Sequence, residues 1–280
     1  MLKSFPANSR IQRRPWFYPL ISAVVALSVL GTAIPGQAFS WTDLLTQGVQ
    51  LVQLSTMSTQ QEVDMGKQIN QKLVNGQIKL YKNSAINQYV EEVGKRLALN
   101  SDRPNLPYTF QIVDDSAVNA FATTGGFVYV NKGLLKTAAN EAELASVIGH
   151  EIGHIGGKHL MKQMRSTALA NGVATVAGIN RNQLVQLGMQ LALNLPHSRK
   201  DEFEADQRGL RTLGRSGYSQ SAMVSFMKKL LSQGSVPTFL SNHPATGDRI
   251  VALQKAIKPV ANNIGYGVDE LTYKARMAAL

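Results

Sequence analysis

The 280-residue sequence contains no cysteine. That excludes a disulfide framework, a lipid anchor on an N-terminal cysteine and a thiol nucleophile. Acidic residues are few, 18 against 29 Lys and Arg, for a formal charge of +11. The basic residues are scattered, without aromatic interleaving or a nucleic-acid motif, so no nucleic-acid partner is expected. A basic face drawn to anionic lipid would give a peripheral membrane contact, and a merely solvated surface is the plainer alternative. Beyond residue 38 no apolar run is long enough to span a bilayer: Ala168 to Ile179 is about 12 residues, and Arg181-Asn182-Gln183 separates it from the next apolar stretch. Histidine is scarce as well. Any site built on imidazole must draw on His150, His154, His159, His197 and His243.

Two of these stand four apart, in His150-Glu151-Ile152-Gly153-His154. Asn140 with Glu143 makes a capping box, and Leu144, Val147, Ile148, Ile152 and Ile155 form an apolar stripe, so this stretch is a helix. On a helix the two imidazoles lie one above the other and can reach one metal ion. Glu151, rotated by about 100°, sits beside that ion without competing as a ligand. In this H-E-x-x-H pattern zinc acidifies a bound water and the glutamate takes its proton. Taken alone, the same pattern also suits a buried amphipathic helix whose histidines cap or pack.

Catalytic zinc usually takes three protein ligands. His159 is five residues past His154, about 140° around a continuous helix, and is expected to point elsewhere. The cluster Asp201-Glu202-Phe203-Glu204-Ala205-Asp206 offers a better third ligand. Glu202 and Asp206 share a helical face while Glu204 points away. Glu202 can close the metal site, and Asp206 can hold the free ring nitrogen of a ligating histidine. An exposed acidic helix start is the plainer alternative.

His150-Glu151-x-x-His154 followed by Glu202-x-x-x-Asp206 resembles the gluzincins of the HtpX and CAAX-prenyl-protease type, peptidase family M48, and within it the BepA- and Oma-like branch. Asn119-Ala120-Phe121-Ala122, Gly125-Gly126-Phe127-Val128-Tyr129-Val130, Gly133-Leu134-Leu135, His243-Pro244 and Arg249-Ile250 match as well. The resemblance runs from about Glu62 to Ala256. It implies one zinc ion held by His150, His154 and Glu202, with Glu151 as catalytic base and Asp206 supporting a ligand. It also implies that Phe127 to Val130 is an edge strand that pairs with extended substrate. The implied activity is a metalloendopeptidase that clears misfolded or misassembled envelope proteins. A zinc-stabilised chaperone with a plugged protease site is the alternative.

Along the chain, residues 1–38 read as an export signal or uncleaved anchor. Lys3, Arg10, Arg13 and Arg14 precede an apolar run of about 18 residues, Phe17 to Ile34. This implies an extracytoplasmic location, such as a periplasm. Residues 39–57 form a linker with an amphipathic stretch from Trp41 to Leu54. Residues 58–257 are the metallopeptidase domain, and 258–280 a tail without a motif or helical repeats. Helices are expected from Ser58 and over Ile86 to Leu99, a strand over Tyr108 to Val113, and a hairpin around Thr124-Gly125-Gly126. Two packed helices are expected between the H-E-x-x-H helix and Glu202, and others over Gln220 to Leu231 and Asp248 to Ile257. The fold class is α+β, mostly helical, with a small sheet beside the zinc helix. His243 is open to three roles: a fourth zinc ligand at rest, an oxyanion donor, or a brace for its loop.

Overall fold

Three short strands organise the centre of the chain: β1 (Thr109–Val113), β2 (Ala120–Ala122) and β3 (Phe127–Asn131). The computed structural model describes residues 57–170, 181–194, 196–233, 236–244, 247–257 and 265–280. The export segment expected at 1–38, the amphipathic stretch expected from Trp41 to Leu54 and the apolar residues 171–179 lie outside them. The expected hairpin joins β2 to β3 through a turn at Thr124–Gly126. Gly125 and Gly126 sit there at φ +77° and +100°, a region other residues enter at a cost.

The sheet order is β1-β3-β2, with β1 parallel and β2 antiparallel to β3. This corrects the assignment of Phe127, Val128, Tyr129 and Val130 as a substrate-binding edge. Both of their hydrogen-bonding sides are filled by neighbouring strands, and all five residues of β3 are buried. The hairpin pattern revealed one partner; the parallel partner β1 comes from the far side of an 18-residue separation (Thr109↔Phe127) and left no local signal. β1 and β2 are the edges of the sheet, and Leu80 and Tyr81 cover the end of β1. The bonds Thr123 N–H to Phe127 O and Asn131 N–H to Asn119 O set the alternation, so buried Ala120 and Ala122 turn their N–H and C=O groups away from β3.

Helices enclose this sheet. They are α1 (Thr59–Gly76), α2 (Ser84–Leu99), α3 (Lys132–Thr137), α4 (Glu141–Gly156), α5 (His159–Ala170), α6 (Arg181–Asn194), α7 (Arg199–Arg215), α8 (Ser221–Leu231), α9 (Thr238–Asn242), α10 (Gly247–Ala256) and α11 (Glu270–Met277). The expected α+β class, mostly helical, is what the chain adopts. Among the described residues no helix is long and apolar enough to cross a membrane. Ser58 and Gln61 close the capping box of α1 reciprocally. At α4, Asn140 accepts from Glu143 N–H, but Glu143 reaches Ala139 N–H instead of returning to the cap. α11 sends Tyr273 and Met277 into the main core, so residues 265–280, expected to be a tail, pack with the domain. A second core joins α1, α5 and α6 through Ile69, Leu73, Met164, Val185 and Met189.

α4 is buried from Ala142 to Ile155 and lies against α7. The two helices meet backbone to backbone. A Cβ at Gly153 would stand 2.5 Å from Ala205 O, and one at Gly209 would stand 3.0 Å from Gly149 O. Side chains at these positions would hold the axes at the usual spacing of about 8–10 Å. Without them, residues from the two helices can share one small site.

Glu62 of α1 ties three elements together. It is 2% exposed and receives Arg103 Nη1 at 2.7 Å, Arg103 Nη2 at 2.8 Å and Thr124 Oγ1 at 3.0 Å. Arg103 Nη1 also donates to Ile155 O in the last turn of α4, at 3.3 Å. Burial pushes the Glu62 carboxyl up, but Arg103, Thr124 and Lys158 outweigh it and hold it below its ordinary value of 4.5. A carboxylate depressed in the folded state stabilises above its unfolded pKa, and that stability is lost as pH falls through the folded value. Glu62→Gln should therefore be less stable than wild type at neutral pH, and the gap should close in acid. Urea midpoints between about pH 7 and pH 3 check this; a gap independent of pH would remove Glu62 as the titrating group.

Candidate metal centre

His150 and His154 project from successive turns of α4, and their Nε2 atoms stand 3.0 Å apart. From α7, Glu202 places Oε1 3.3 Å from His154 Nε2 and Oε2 3.5 Å from His150 Nε2. His243, in the loop after α9, sets Nδ1 3.1 Å from Glu202 Oε1 and 3.3 Å from His150 Nε2. Each of these four residues offers a ligand atom, all within 4.8 Å of one another, and all four residues are buried. A four-coordinate ion with bonds of about 2 Å needs ligand atoms roughly 3.3 Å apart, which is the scale found here.

The remaining polar atoms of the imidazoles are also engaged. Asp206 Oδ1 lies 3.0 Å from His150 Nδ1. Asp206 is gripped in turn by Arg249, with Nε and Nη2 each 2.7 Å from a different carboxylate oxygen. Arg249 Nη1 reaches Glu202 Oε2 at 2.6 Å and the Pro244 carbonyl at 2.9 Å. This guanidinium, 1% exposed, offsets two buried carboxylates at once. In the sequence it stands out only as part of a matching stretch, because a lone arginine 43 residues from Asp206 carries no local sign of its role.

Glu151 stands on the third side. It is fully buried, with His243 Nε2 at 3.4 Å and the Ala122 N–H turned toward it, yet neither carboxylate oxygen accepts a hydrogen bond. Burial raises its pKa, against the opposing pull of His243 and His150. Buried acceptors without partners are rare, and a pair of them beside converging ligand atoms marks where a water and a cation belong. The donor set and the orphaned carboxylate both fit a bound metal. Burial pushes Glu202 upward, but the surrounding histidines outweigh it and hold the carboxyl far below its usual range. Burial depresses His150, while Asp206 and Glu202 more than compensate and carry it to about 9. A cation in the cluster would displace that proton, since only neutral imidazole is a ligand.

All five histidines of the chain meet here. His197, just before α7, stacks on His154 with ring centroids 4.0 Å apart. His159, expected to point away, puts Nδ1 2.8 Å from His154 Nδ1. Phase along a continuous helix predicts otherwise, but the helix is not continuous. α4 ends at Gly156, Lys158 takes φ +53°, and α5 starts at His159 in a new direction. Glu204 stays out of the four-residue cluster, as expected, and lies with Oε2 3.4 Å from His159 Nε2.

The family profile described as Peptidase family M48 matches residues 84–257, which include all of the cluster. The putative beta-barrel assembly-enhancing protease of Vibrio cholerae is 31% identical over 214 residues, covering 70% of this chain and 44% of that protein. The beta-barrel assembly-enhancing protease of Escherichia coli K12 is 28% identical over 248 residues, covering 82% and 50% respectively. Metalloprotease LoiP of the same bacterium is 27% identical over 241 residues, covering 81% and 92%. The chain thus spans about half the length of the assembly-enhancing proteases it matches. With the profile running through α4, α7 and the His243 loop, this chain belongs to peptidase family M48.

Proposed function

We propose that this chain is a zinc-dependent metalloendopeptidase that cleaves misfolded or misassembled proteins outside the cytoplasm. One observation carries the reading: the buried, unbonded carboxylate of Glu151 beside the converging atoms of His150, His154 and Glu202. Two imidazoles and one carboxylate are a donor set that suits zinc. Zinc held there would polarise the scissile carbonyl and make a water acidic. Glu151 takes the proton of the attacking water and delivers it to the leaving amine nitrogen. Asp206 and Arg249 keep His150 and Glu202 in place. Extended substrate backbone is received along β2 at its Ala122 end, the one that faces Glu151, an interaction that demands little of substrate side chains. Unfolded polypeptide supplies such strands; a folded protein does not. Relatives named for beta-barrel assembly, together with the export segment expected at 1–38, support envelope proteins as the substrates.

The test is cleavage of an unfolded protein by the purified chain, abolished by a chelator and restored by zinc. Glu202→Ala should bind little zinc, whereas Glu204→Ala should still take up a full equivalent at saturating zinc. The reverse result would transfer the ligand role to Glu204. His243 we take as a fourth ligand that closes the site at rest, because its Nδ1 lies among the ligand atoms and its backbone is fixed by Phe239 O and Arg249. His243→Ala should then raise basal turnover with zinc retained. A loss of roughly 10²- to 10³-fold would make it an oxyanion donor instead, and unchanged turnover a loop brace.

A further inference from the structure

We propose that His159 is a positioning residue that holds His154 in its metal-binding tautomer, in the chain carboxylate–His159–His154. The inference rests on the reading that His154 is a ligand. His159 is 0% exposed, and its Nδ1 lies 2.8 Å from His154 Nδ1. Two imidazole nitrogens at that distance share one proton, so one donates and the other accepts. If His154 offers the lone pair of Nε2 to a metal, its proton is on Nδ1 and is donated to His159 Nδ1. The proton of His159 must then be on Nε2. That atom faces Glu204 Oε2 at 3.4 Å and Asp201 Oδ1 at 3.6 Å, acceptors within reach although neither contact has hydrogen-bond geometry. Every proton in the chain has a consistent place.

The same count excludes the competing use of this cluster. His159, Asp201 and Glu204 could hold a cation of their own. A cation on His159 Nε2 would force the His159 proton onto Nδ1, where it would meet the His154 proton across 2.8 Å. The two sites could be filled together only if an imidazole lost a second proton. Lys162 and Arg208, paired with Glu204, further disfavour a cation there.

The fold makes specific room for this ring. A Cβ at Gly157 would stand 2.2 Å from His159 Nε2. The backbone of Gly157, φ −78° and ψ −7°, is open to any residue, so glycine is required there for the imidazole alone. Lys158 at φ +53° then turns the chain so that His159 folds back over His154. The result mirrors the Asp206 contact to His150: each ligand histidine has its second nitrogen held, one by a carboxylate and the other by an imidazole.

Residues that hold a ligand in this way are worth about 10- to 100-fold in metal affinity. The experiment is zinc affinity by competition with a chelating dye, on the full chain, for wild type, His159→Leu, His159→Asn, Gly157→Ala and His154→Ala. Melting of the zinc-free proteins serves as the folding control. His159→Leu should bind zinc about 10- to 100-fold more weakly. His159→Asn, whose carbonyl oxygen can stand where Nδ1 does, should recover most of that loss. Gly157→Ala, which keeps the imidazole but displaces it, should fall with His159→Leu. Wild-type affinity in His159→Leu overturns the inference, and so does equal loss in the Leu and Asn variants, which would mean packing alone. If His154→Ala binds zinc like wild type, the ligand assignment itself fails, a result distinct from either.

Discussion

Glu151→Gln is expected to lower peptide hydrolysis by about 10²- to 10⁴-fold while zinc content stays at the wild-type level. Glutamine has nearly the shape of glutamate but cannot take a proton. The substitution therefore leaves His150, His154 and Glu202 undisturbed and removes only the base. The environment of Glu151 suits that base: full burial lifts its pKa, and no donor ties up either oxygen. A carboxylate made more basic by burial is a better acceptor for the proton of a polarised water. Turnover of an unfolded protein and metal analysis of the same preparation give the two readouts. Full turnover in the variant would sink the proposed chemistry. Complementation separates a protease from a zinc-stabilised binding protein, because a binding protein keeps its function in cells when only Glu151 is changed.

The second large effect is structural. Arg249→Met should destabilise the zinc-free protein by about 3–5 kcal/mol. Arg249 is 1% exposed and holds Asp206 through two bonds and Glu202 through a third contact. Methionine fills part of the volume but leaves both carboxylates buried without that cation, and stranding a buried charge costs more than the pair contributes. Zinc must be chelated in the assay, because bound metal would add its own stabilisation. Arg211→Met is the control. Arg211 Nη2 lies 3.5 Å from Asp102 Oδ2 and the side chain is 48% exposed, so its loss should cost under about 1 kcal/mol. Denaturant midpoints of the three proteins decide the matter; an Arg249→Met variant as stable as the Arg211→Met control would show that the buried carboxylates are satisfied without the guanidinium.

The two variants probe opposite ends of one chain of contacts. Glu151 faces the reacting atoms, and Arg249 holds the groups that hold the metal. Between them stands Asp206, 3.0 Å from His150 Nδ1. Because these residues touch, their effects should not add: in Arg249→Met, further change of Asp206 should cost less zinc affinity than it does in wild type.

The sequence by itself determined whatever depends on phase within one element. His150 and His154 share a face, Glu202 and Asp206 share another, Asn140 caps α4, Ser58 caps α1, and Thr124-Gly125-Gly126 turns a hairpin. Each rests on residues three or four apart, where backbone geometry alone decides which side chains are neighbours. Tertiary structure decided the rest. β1 joined β3 in parallel and made it the central strand. Gly149, Gly153 and Gly209 let α4 and α7 close on each other, so that two helix faces became one site. The break at Lys158 turned His159 back onto His154, and the packing of α10 brought Arg249 beneath both carboxylates. These outcomes rest on contacts between distant segments, where burial and charge compensation are settled only once the helices have met.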